Sequence, residues 1–86
     1  MNQKTNKKPY RIVQIMGPPA DAWDTHPNLI LDGWPIHCGE TLTVLFPGGW
    51  QCVSIELDCS KDGIEGWYFP ERRNVSPVGL FCRVPA

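Results

Sequence analysis

A chain of 86 residues, 42% hydrophobic and 20% charged, has ordinary globular composition, which excludes a disordered polyelectrolyte and leaves room for one small core. Nine prolines and eight glycines, spread without a period, exclude collagen and long helices, since an interior proline costs a helix about 3 kcal/mol. The net charge of −1 hides an asymmetry: four bases and no acid through Arg11, then four bases and nine acids from Ile12 onward.

Residues 1–9 read as a flexible basic arm and 10–86 as a single small domain. Lys4, Lys7, Lys8 and Arg11 could grip phosphate, whereas the acidic body would repel it; short terminal charge runs are most often simply solvated. The opening residues lack the apolar run of a signal peptide, and no window reaches the ~18 apolar residues of a membrane helix. A cytoplasmic domain without a membrane partner is expected.

Tyr10 to Ile15 has the β-branched content of a short strand, ended by Gly17-Pro18-Pro19. Four prolines fall within residues 17–35, where a turn at Ala20 to Asp24 is the one helical candidate and Asn28 to Gly33 a second short strand closed by a turn. The clearest element is a β-hairpin, Glu40 to Phe46 and Gln51 to Leu57. A two-residue loop at Gly48-Gly49 suits a primed turn and sets Val44 against Val53 and Leu42 against Ile55. Because side chains alternate along a strand, Leu42, Val44, Phe46, Val53, Ile55 and Leu57 form the buried face, and Leu45, Trp50 and Cys52 lie opposite. Trp67 to Phe69 is a third kind of strand, aromatic and ended by Pro70. The chain closes with Leu80 to Val84, in which Leu80, Cys82 and Val84 face inward. About five short antiparallel strands, with no helix to cover an open sheet, predict a mainly β fold closed as a small barrel.

Between Gly33 and Val84 the chain carries His37-Cys38-Gly39, Gly49-Trp50, Gly66-Trp67-Tyr68, and Gly79-Leu80 with Arg83. In these motifs it resembles a family of small bacterial domains of unknown function, often found on phages and conjugative elements. The resemblance implies an SH3-like β-barrel and makes an accessory or inhibitory, anti-defence role on a mobile genetic element plausible. It implies no activity.

No constellation supports catalysis. His37 and Cys38 are adjacent, so on a strand they project to opposite faces and cannot form a dyad. Cys38, Cys52, Cys59 and Cys82 lack the Cys-x-x-Cys pairs of a zinc site, and Cys82 points into the core, so reduced cysteines are the simpler reading and a structural zinc domain an alternative. Asp58 to Gly63 matches the first half of a calcium loop, but Phe69 stands where a bidentate Glu is required, and an Asp-Gly turn explains the same letters. No cofactor is expected.

Four tryptophans exceed what so small a core hides easily. Tryptophan, tyrosine and arginine are enriched at binding hot spots, which makes Trp50, Tyr68, Arg72, Arg73 and Trp34 a candidate protein-contact patch. The competing reading has these rings sealing a second small cluster beneath residues 17–35. The leading expectation is therefore a non-enzymatic protein-binding module. A nucleic-acid binder that combines the arm with base stacking is the alternative.

Overall fold

The computed structural model describes residues 9–19, 21 and 26–85. The expected basic arm, with Lys4, Lys7 and Lys8, and most of the Ala20 to Asp24 turn, with Trp23, lie outside them.

The described residues form eight strands: β1 Tyr10–Gln14, β2 Ile30–Leu31, β3 Trp34–Pro35, β4 Thr41–Phe46, β5 Gly49–Ser54, β6 Glu56–Leu57, β7 Trp67–Tyr68 and β8 Phe81–Pro85. The fold is mainly β, with a single-turn 3-10 helix at Gly63–Gly66. The strands make an open four-stranded sheet in the order β1-β8-β4-β5 and two ribbons, β2-β3 and β6-β7. Closure as a barrel of about five strands is thus not found among the described residues. The reason lies at Ile55: the long second hairpin strand breaks there, and Glu56–Leu57 pairs with β7 instead of continuing along β4. Ile55 is itself held by the loop before β4, donating to the Glu40 carbonyl and accepting from the Gly39 amide.

The β4-β5 hairpin also corrects the expected register. Leu42 faces Val53 and Val44 faces Gln51, and the two-residue loop is Pro47-Gly48. Proline has its φ preset for the first loop position, and the positive φ falls after the loop, on Gly49 at 121°. The shift is two residues, an even number, so the faces are unchanged: Leu42, Val44, Phe46, Val53 and Ile55 are all buried. The primed turn occurs elsewhere, at Asp32-Gly33 between β2 and β3, where φ is 54° and 80°. A salt bridge of 2.6 Å from Arg11 to Asp32 ties this ribbon to β1.

The core lies on one face of the large sheet. To the buried residues of the hairpin, Cys82 and Val84 are added from β8 and Ile15 from just after β1, with Leu29, Ile36, Trp67 and Phe69 packed over them from the ribbons and loops. Phe46 and Phe69 meet edge to face, 5.5 Å between centroids. The segment around Pro27 does pack on the sheet, because the buried Trp67 indole donates to the Pro27 carbonyl at 2.9 Å and Met16 bridges to Ile30. No helix of the described residues is long and apolar enough to cross a membrane.

Candidate functional site

With one face of the sheet buried, the outward positions of all four strands are exposed or half-buried, none of them fully buried. The registers put Ile12 beside Arg83, Arg83 beside Thr43, and Thr43 beside Cys52, a single row across β1, β8, β4 and β5. One step along β8, Phe81 pairs with Gln14, while Leu45 pairs with Trp50 within the β4-β5 hairpin. Ile12, Phe81 and Leu45 are 52%, 45% and 39% exposed. Three large apolar side chains thus share one sheet face with solvent, and exposed apolar residues gathered together mark interaction sites more often than residues scattered singly.

At the centre stands Arg83. Its guanidinium carbon lies 4.5 Å from the Tyr10 ring centroid and 4.4 Å from that of Trp50, so it is stacked between two rings from the outer strands. Its Nε is buried and has no hydrogen-bond partner. Beside it, Thr43 Oγ1 and Cys52 Sγ are 3.3 Å apart.

The residues expected to form one contact patch fall at four places. Trp50 lies on the outer face. Tyr68 and Arg73 stack on each other at 4.6 Å and line a cleft of about 350 Å³ with Asp58 and Lys61. Arg72 caps the core edge, over the Phe46 ring at 4.5 Å with a hydrogen bond to Gln51 Oε1. Trp34, 76% exposed, follows the turn of the β2-β3 ribbon. Trp67 takes the other role foreseen for the rings and seals the Pro27 segment. Arg11, proposed for phosphate, is engaged by Asp32, whose carboxyl the guanidinium holds below its ordinary pKa.

Tyr10, Ile12, Phe81 and Arg83 were absent from the expected patch. Phe81 and Arg83 alternate with the inward Cys82 and Val84, so their direction was readable; what local sequence could not show is that β1 pairs with β8 and adds Tyr10 and Ile12.

The polar residues elsewhere are used locally. Cys38 Sγ donates to Glu56 Oε1 at 3.2 Å, which pushes its thiol pKa up and disfavours the thiolate, while His37 Nδ1 pairs with Glu40 at 3.1 Å. The two neighbours thus have separate partners. Cys82 is buried, and desolvation raises its thiol to about 11. Asp58 accepts from the amide and hydroxyl of Ser60, bonds that lower its carboxyl pKa and close the turn locally. No group of three or more His, Cys, Asp or Glu side chains among the described residues is placed to hold a metal.

Residues 18–83 match the model of the family described as Domain of unknown function (DUF5348). The chain belongs to this family. The DUF5348 match takes in Leu45, Trp50, Phe81 and Arg83 but begins after β1, so Tyr10 and Ile12 complete the face from outside the matched region. No curated protein and no solved structure matches the chain.

Proposed function

We propose that this domain is a non-enzymatic binding module that docks a partner protein on the outer face of its four-stranded sheet. The observation that carries the reading is the exposure of Ile12, Leu45 and Phe81 around the Tyr10-Arg83-Trp50 stack. Interface cores are poor in charge and rich in aromatic residues and arginine, and this face has that composition. The four other residues first expected to form the patch are not part of it, and Trp50 is the one retained.

Site-specific photo-crosslinking tests the reading. A photoreactive phenylalanine analogue at Phe81 or Leu45 should give one discrete protein adduct in lysate of the cells that carry this gene, and the same analogue at Glu71, an exposed loop position, should not. Ile12→Asp should remove the adduct. Equal labelling from Glu71, or none from the sheet, would discard the face as a docking surface.

A single-stranded nucleic acid is the second reading, favoured by aromatic rings on an open antiparallel sheet. It predicts oligonucleotide affinity that falls steeply with salt. Against it, the Arg83 guanidinium already covers one face of both Tyr10 and Trp50.

A further inference from the structure

We propose that Arg83 is the recognition centre of this face and that the partner delivers a carboxylate to it, from an Asp or Glu side chain flanked by apolar residues in an extended segment. The inference rests on the docking reading above and names what the docked protein must carry.

Three observations converge. Arg83 occupies the middle of the sheet, between Ile12 on β1 and Thr43 on β4, so a ligand lying across the strands passes over it. Rings on both sides hold the guanidinium, which removes much of the rotamer freedom that arginine ordinarily loses on binding. Its donors also have no partner among the described residues. Nε is buried without a partner, and the terminal nitrogens have neither a carboxylate nor a hydrogen-bond acceptor among the described residues. Arg83 as a whole is half-buried, so part of its side chain remains open to solvent.

Charge distribution selects the occupant. The chain carries nine acids from Ile12 onward, yet no outward position of β1, β8, β4 or β5 is Asp or Glu. None of these four strands carries an acid on either face, so none of them neutralises Arg83 from within the sheet. A planar, fixed guanidinium pairs best with a planar acceptor, and a carboxylate accepts two parallel N–H bonds. A phosphate chain would meet a single described cation and rings already covered on one side, whereas Phe81, Leu45 and Ile12 offer apolar contacts to the residues on either side of an acid. The observations therefore favour an acidic-apolar protein segment over nucleic acid.

A phage-displayed library of random linear peptides, selected on the full chain, supplies the probe. Selected peptides should share one Asp or Glu next to apolar residues and should shift the Arg83 Nε–Hε resonance. Changing that acid to its amide, or Arg83→Gln, should weaken binding at least about tenfold, and the double change should cost little more than either alone. Arg83→Lys keeps the charge but not the planar fork, and should weaken binding as well. Thr43→Glu leaves Arg83 in place and supplies a competing carboxylate from the adjacent strand, so it should also reduce affinity; the amide spectrum of each variant verifies its fold. Peptides without an acid that still need Phe81 would overturn the inference and leave the docking face standing. Peptides that bind wherever Phe81→Ala has no effect would remove both. Tight oligonucleotide binding through Arg83, or self-association of the chain through this face, would also overturn it.

Discussion

Gly66 shows how one hydrogen atom can be a structural requirement. It is buried, and a methyl group in place of its hydrogen would sit 2.8 Å from the Asp58 carbonyl oxygen, 3.0 Å from Leu57 Cδ1 and 3.2 Å from the Lys61 carbonyl oxygen. Two of those atoms are backbone and cannot rotate away. The Gly66 carbonyl also accepts from the Asp58 amide at 2.8 Å, so any displacement strains the β6-β7 ribbon. Gly66→Ala should therefore destabilise the domain by about 1–3 kcal/mol in urea denaturation, the usual cost of overpacking. Gly48→Ala is the matched control: it has an ordinary φ and nothing within 4 Å of a new Cβ, and should be near neutral. Equal stability of the two variants would show that the ribbon gives way more easily than this packing implies. The glycine before Trp67-Tyr68 was visible as a motif, but its reason was not, because the crowding atoms come from a loop folded back upon it.

At the scale of elements, side-chain alternation was legible and register was not. The buried face of the β4-β5 hairpin follows from the spacing of Leu42, Val44, Phe46, Val53 and Ile55, and any even shift preserves it. The exact pairing depended on the loop chemistry of Pro47-Gly48, where the proline ring outweighed the preference for two glycines. The break at Ile55 carries no glycine or proline to announce it. Its cause is tertiary: β6 leaves to join β7, which places Trp67 under the Pro27 segment. That placement can be measured. Trp67→Phe keeps an aromatic ring but removes the N–H that reaches the Pro27 carbonyl at 2.9 Å, leaving a buried acceptor unpaired and a gap beside it. A loss of about 1–3 kcal/mol is expected in urea denaturation, and a loss below about 0.5 kcal/mol would mean that the Pro27 segment does not depend on this bond.

At the scale of the molecule, the fold depends on the strand nearest the end of the chain. β8 lies between β1 and β4, so the first and last strands of the described chain pair with each other and the sheet is continuous only when Phe81–Pro85 is present. This long-range pairing was the least legible part of the fold, since strand propensity marks a segment without naming its neighbour. It also builds the candidate site: β1 supplies Tyr10 and Ile12, β8 supplies Phe81 and Arg83, and β5 supplies Trp50, so the face assembles only when the sheet does. Loop closure between such distant segments costs entropy that no local contact offsets, and without β8 the core also loses Cys82 and Val84. A chain ending at Leu80 should consequently lack a cooperative thermal transition and show a collapsed amide spectrum. Cooperative melting of that fragment would mean that β4, β5 and the two ribbons form a stable core alone. In that event Trp50 and Leu45 would remain on a two-stranded remnant without Arg83, and the stacked centre of the face would be an addition to the folded unit.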